Sequence, residues 1–265
     1  STQIPHIIRR VVGQALGRNA LASVGSAFTL MTFLTSIFLG LSLGAGALFA
    51  IYLGKGDREQ LRRAVFQGFC LIGAVTVVIT ALVFLFADGI LRFLQIPAEL
   101  YDSMRVYLLI IFIGLPATFL YNFFANLLRS VGNSVTPLWL LGISALLNVF
   151  LDLYFVLVLH WGVAGAAIAT VIAQYVSGLG IATYVYLRCQ ELLPEKQHRG
   201  FDRKTLSELL DLSLMTCVQQ STMNFGILMV QRLVDSFGPV TMAAFAAAVK
   251  IDAFAYLPVQ DFGNA

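Results

Sequence analysis

The stretch AVFQGFCLIGAVTVVITALVFLFA, residues 64–87, holds no Asp, Glu, Lys or Arg over 24 positions. At about 1.5 Å per residue it makes a helix of roughly 36 Å, long enough to cross the hydrocarbon layer of a bilayer. A helix in a water-soluble core needs no apolar run much beyond about 14 residues, so this segment reads as a membrane span. Working outward, the same criterion marks spans at 26–53, 104–128, 136–158, 163–187 and 212–237, with one more opening near 241. Segment 4–16 is too short and too basic to cross alone and reads as the tail of an earlier helix. With that tail counted as helix 1, the chain holds most of helices 1 to 8, so the expected fold class is an all-α, polytopic transmembrane bundle.

Composition agrees: 58% of the residues are hydrophobic and 12% charged, with a mean hydropathy of +0.84. Soluble domains carry about a quarter charged residues, so a water-soluble fold is excluded. The formal charge of +3 sits in short clusters between apolar runs, which offers no basic face for nucleic acid. Cys70, Cys189 and Cys217 form no CxxC pair and share no regular spacing with the histidines, so neither a disulfide framework nor a metal site is read from them. Residues 1–10 carry Pro5, His6, Arg9 and Arg10 where a cleavable signal would be apolar, so the chain is expected to begin inside a longer one.

The basic residues fall in alternate connections. Lys55, Arg58, Arg62 and Arg63 occupy one, Arg129 another, and Arg188, Lys196, Arg199, Arg203 and Lys204 a third. The positive-inside rule therefore puts these connections, with the N-terminus of the parent protein, on the cytoplasmic side of a multi-pass plasma (bacterial inner) membrane protein. The longest of them, 190–208, has Pro194, Gly200 and mixed charges and reads as a solvated linker between two blocks. LGRNALASVGSAF (16–28) aligns weakly with FGPVTMAAFAAAV (237–249), matching Gly17 to Gly238, Ala22 to Ala243 and Ala27 to Ala248. An offset of six helices is that of a parallel repeat, which transporters use to build two facing lobes.

Five segments together resemble the MATE family of multidrug efflux transporters, its bacterial branch in particular: VVGQALGRNALASVG (11–25), GLSLGAGALFAIYLGKGD (40–57), LLRSVGNSVTPLWLLGISALLNVFLDLYF (127–155), GVAGAAIATVIAQ (162–174) and VKIDAFAYLPVQDFGNA (249–265). They come in the family's order and nearly fill the chain. The resemblance implies twelve helices in two six-helix lobes. Residues 1–189 then form the first lobe, 190–208 the cytoplasmic linker and 209–265 the start of the second lobe, whose remaining helices are missing here. It also implies a secondary antiporter exporting amphipathic, often cationic, organic compounds by alternating access, coupled to inward H⁺ or Na⁺. Membrane lipid and small organic molecules are its partners, and no cofactor is needed beyond the transported ion.

Asp152 is the one carboxylate well inside a predicted span of the first lobe, where an ionisable group is expensive and points to function. Asn148, four residues earlier, turns about 400° away and shares its face. Asp152 lies roughly 9 Å below the outer end of its helix and Thr170 roughly 10 Å down the returning one. The tight turn at His160 and Trp161 makes the two helices neighbours, so carboxylate, amide and hydroxyl can meet at one depth. Such oxygens suit a proton or a hard cation, and apolar burial favours the neutral acid that a coupling site requires. A buried, permanently protonated acid with a packing role is the competing reading. The resemblance adds that the family's first-lobe ion or proton site uses an Asn and Asp in helix 5 and a Thr in helix 6, matching Asn148, Asp152 and Thr170.

One departure stands out: the family carries an Asp near the end of helix 1, where this chain has Ile7, Ile8, Arg9 and Arg10. In helix 7 the sodium-coupled branch carries a Glu, where Gln219, Gln220, Ser221, Thr222 and Met223 stand here. Gln219 and Gln220 are assigned to the substrate cleft, with hydrogen bonding between helices an equal account. Asp252 and Asp261 are assigned to the cleft as well. Pro116 and Pro258 remove backbone hydrogen bonds within spans and are expected to kink them. Gly40 and Gly44 form GxxxG, read as a close helix contact. A lipid-linked oligosaccharide flippase of the same superfamily is the nearest rival, although it favours a cleft rich in Arg and Lys. A membrane-embedded transferase needs paired acids such as DDxxD or a catalytic His at the membrane face, and the sequence has neither, so the chain is read as no enzyme.

Overall fold

The computed structural model describes residues 18–93 and 101–236. Within them the chain folds into eight α-helices: α1 Arg18–Gly54, α2 Arg58–Leu85, α3 Ala87–Phe93, α4 Tyr101–Ile113, α5 Leu115–Ser130, α6 Val135–Leu153, α7 Gly162–Arg188 and α8 Arg203–Ser236. Five stretches are long and apolar enough to cross a membrane: Met31–Gly54, Arg58–Leu85, Met104–Ser130, Val135–Val158 and Gly162–Arg188. They coincide with five of the expected spans. Segment 212–237 falls on the 34-residue α8, which is helical but not among these five. Its run of Gln219, Gln220, Ser221, Thr222 and Asn224 dilutes the apolar length. The helix 1 tail, the span near 241, Asp252, Asp261 and Pro258 lie outside the described residues.

The connections use the local chemistry their residues dictate. Asp57 caps α2 by accepting from the Gln60 amide at 3.1 Å, and Gly56 supplies the positive φ of 72° that the turn before it requires. Between α5 and α6, Gly132 takes a φ of 82° and the Asn133 side chain accepts from the Thr136 amide at 3.1 Å. A wider π turn, Tyr154–Val158, closes the C-terminal end of α6, and Trp161 stacks on Phe155 with ring centroids 5.1 Å apart. The reversal predicted at His160 and Trp161 is therefore present.

The kink expected at Pro116 coincides with an interruption of the helix at Gly114. The span Met104–Ser130 divides at Gly114 into α4 and α5, with Pro116 in the first turn of the second half. Pro116 has no N–H to give back to the Phe112 carbonyl one turn earlier, and beside that gap the Ile113 carbonyl accepts the Tyr175 hydroxyl of α7 at 2.9 Å. α7 fits closely here: a Cβ added to Gly178 would lie 2.6 Å from the Ala117 carbonyl oxygen, and one added to Gly114 only 1.9 Å from Gln174 Oε1.

The core has two centres. One gathers Phe49, Phe123, Ile72, Ile181 and Leu209; the other gathers Phe38, Leu108, Phe112 and Leu115. Between helices in lipid the drive is packing and hydrogen bonding, not water exclusion, so small residues that admit close approach matter most. The Gly40/Gly44 pair does this against α8. Added Cβ atoms would stand 2.6 Å from Cys217 Cα and 2.4 Å from Ser213 Cα. The seam is stitched by the Thr216 hydroxyl to the Gly40 carbonyl at 2.8 Å and the Ser213 hydroxyl to the Leu41 carbonyl at 3.1 Å. At its end the Tyr52 hydroxyl donates to Glu208 at 2.6 Å.

The stretch 190–208 differs from a solvated linker, because it lies docked along the start of α2. Arg58 pairs with Glu191 at 3.2 Å, Arg62 pairs with Glu195, and Arg62 Nε donates to the Glu191 carbonyl at 2.8 Å. Gln67, wholly buried, donates to the Gly200 carbonyl at 3.1 Å. His198 is 2% exposed; its Nδ1 accepts from the Glu195 amide, and its Nε2 stands 3.5 Å from Glu59.

Candidate functional site

Antiparallel packing of α6 on α7 decides which polar side chains meet. The Ser144 hydroxyl, buried, donates to the Ala173 carbonyl at 2.5 Å and fixes the register of the two helices. One turn further along α6, Asn148 Nδ2 lies 3.5 Å from Thr170 Oγ1, and that hydroxyl donates to the Ala166 carbonyl at 3.0 Å. Another turn on stands Asp152, 4% exposed, with its Oδ1 buried and without a hydrogen-bond partner among the described residues. The structure thus joins Asn148 to Thr170 and buries Asp152 on the next turn of α6 without bonding its Oδ1 to either. An acid with a free buried oxygen, beside an amide and a hydroxyl, has acceptor capacity left for a proton or a hard cation. Among the described residues no three His, Cys, Asp or Glu side chains cluster, and those around Asp152 offer a cation one carboxylate and neutral oxygens.

The π turn after Asp152 is a feature that sequence reading missed, and such turns recur at functional sites. Gln174 was missed too. It follows Thr170 by one turn of α7, and its Oε1 is buried against the Gly114 break without a hydrogen-bond partner among the described residues. Its spacing of four from Thr170 was the available signal. Gln219 is exposed and Gln220 half-buried on α8.

Five membrane-length helices around a buried, incompletely bonded acid define a polytopic helical membrane protein with a polar site inside its bundle. The chain belongs to the MatE family, whose model matches residues 4–154. It is 27% identical over 254 residues to the probable multidrug resistance protein YpnP of Bacillus subtilis (strain 168), covering 96% of this chain and 57% of that protein. It is 26% identical to the probable multidrug resistance protein NorM of Thermotoga maritima, covering 90% of this chain and 52% of that one. The chain therefore spans about half the length of the curated relatives it matches. Among solved structures, a MATE protein in the bent conformation superposes with a TM-score of 0.86 at 22% identity, covering all of this chain and 60% of the other. An outward-facing MATE transporter of the MOP superfamily gives 0.84 at 21% identity, covering 99% and 59%. At such identities the structures establish the fold alone.

Proposed function

We propose that this chain is the larger part of a secondary antiporter that expels amphipathic, cationic organic compounds through alternating access. Residues 1–189 form its first lobe, 190–208 the cytoplasmic linker and 209–265 the start of the second lobe. Inward H⁺ or Na⁺ binds at Asp152, assisted by Asn148 and Thr170, and shifts the balance between outward- and inward-open states. An ion does so only by binding one state better than the other. The observation that carries the reading is the buried Oδ1 of Asp152 within the span Val135–Val158, which has no hydrogen-bond partner among the described residues. Relatives named as multidrug resistance proteins support the cargo class. The linker's contact with Arg58 and Arg62 at the start of α2 is consistent with one basic, cytoplasmic side in a bacterial inner membrane.

The test is Asp152→Asn in the full-length protein, scored by drug resistance of cells that express it. Resistance is expected to vanish while the amount in the membrane stays unchanged. Retained efflux would remove Asp152 from the mechanism.

A further inference from the structure

The acids of segment 190–208 are all engaged. Glu191 and Glu195 pair with Arg58 and Arg62, Asp202 accepts from the Thr205 hydroxyl at 2.8 Å, and Glu208 accepts from Tyr52. The bases of the same segment are not. Lys196, Arg199, Arg203 and Lys204 are exposed and form no ion pair among the described residues. Docking of the segment thus pairs Glu191 and Glu195 with the bases of α2, while Asp202 and Glu208 bond only neutral hydroxyls; against these two acids the four unpaired bases leave an excess of positive charge facing outward.

Amid these bases stands Phe201, 66% exposed. Its backbone is held through the neighbouring Gly200 carbonyl, bonded to buried Gln67, and its ring packs on Phe66 with centroids 6.0 Å apart. Phe66 follows Arg63 by three residues, where the basic first turns of α2 give way to its uncharged run. An exposed aromatic ring at that level, flanked by unpaired Arg and Lys, matches the membrane interface, where rings sit among headgroups and bases meet phosphates.

We propose that Phe201 with Arg199, Arg203 and Lys204 forms a binding surface for the headgroup of an anionic phospholipid, docked on the linker beside α2. The ring inserts at the level of the glycerol backbone, and the guanidinium and ammonium groups hold the phosphodiester. Linker and first lobe are thereby pinned to one leaflet. The local excess of positive charge discriminates an anionic lipid from a zwitterionic one.

The experiment uses the full-length protein purified in neutral detergent. Its thermal midpoint is followed with phosphatidylglycerol, with phosphatidylcholine, or with inorganic phosphate, and bound lipids are counted by native mass spectrometry. Phosphatidylglycerol should raise the midpoint above the phosphatidylcholine value, and its retention should fall as salt rises. The variant Arg199→Gln/Arg203→Gln/Lys204→Gln should lose that increment, with affinity on the order of fivefold weaker per charge removed. The Arg199→Lys/Arg203→Lys variant should keep it. Equal increments from the two lipids in the unaltered protein, or an undiminished increment in the Gln variant, would overturn the proposal. An increment reproduced by inorganic phosphate would overturn it too, since the surface would then hold a soluble anion. Should the Gln variant fail to fold, salt-insensitive retention of phosphatidylglycerol by the unaltered protein would by itself overturn the proposal, and salt-sensitive retention would support it.

Discussion

Asp152 combines deep burial with an oxygen that no described residue satisfies, and such a group costs stability wherever it is ionised. Replacing it by Asn removes the charge and keeps the shape. The thermal midpoint of the Asp152→Asn protein should therefore match or exceed that of the parent even as efflux is lost, a split that a purely structural role would not give. Its importance was legible in the sequence, because a lone carboxylate inside an apolar run announces itself. The partnership was only partly legible. Spacing put Asn148 and Thr170 near Asp152, but side-chain direction decided that amide and hydroxyl would meet each other and that neither would bond Oδ1. A contrasting acid lies outside the spans. Asp88 is bonded by Arg105 at 2.9 Å and by Tyr101, which holds its carboxyl below the ordinary 3.8. A depressed folded value contributes stability that is present above the unfolded value and lost as pH falls through the folded one. Melting followed from pH 5 down to about pH 3 should therefore show a steeper decline in the parent than in Arg105→Gln. Parallel curves would deny the pair a role.

Glycine contacts between helices carry the clearest consequences at the scale of elements. Gly44→Ala on α1 drives its methyl to 2.4 Å from the Ser213 Cα, so the α1/α8 seam must part. A loss of about 1–3 kcal/mol is expected in thermal or denaturant unfolding. Gly54→Ala meets nothing within 4 Å and should be neutral. At the helix break the obstacle differs in kind. Gly178→Ala meets the rigid Ala117 carbonyl, whereas Gly114→Ala meets the tip of Gln174. Adding Gln174→Ala should therefore restore the stability of Gly114→Ala and leave Gly178→Ala uncorrected; equal failure of both pairs would mean that the backbone, not Gln174, fills the break. Pro116 and the GxxxG spacing made these sites visible in the sequence. The docked linker was not visible, since Arg62 and Glu195, or Gln67 and Gly200, are separated by 133 residues and mixed charge reads locally as solvated chain.

For the whole molecule, apolar length was the most legible property, because a bilayer imposes one thickness on every crossing helix. It located five crossings and faltered at α8, whose polar run lies against no such simple rule. In the proposed arrangement α8 begins the second lobe and is zipped to α1 of the first through Ser213, Thr216 and Glu208. Two facing lobes are needed to close around a cargo alternately on each side. Proteoliposomes containing this chain alone should accordingly show no drug flux, and measurable flux would refute the two-lobe assignment. The central claim, exchange of cation and cargo through residue 152, is tested most directly by following ion release when drug is added to the full-length protein. With pH indicator and radioactive Na⁺ in parallel, the parent should release one of the two ions on drug addition, whereas Asp152→Asn should bind drug and release neither. Undiminished release from the Asn variant would contradict the account.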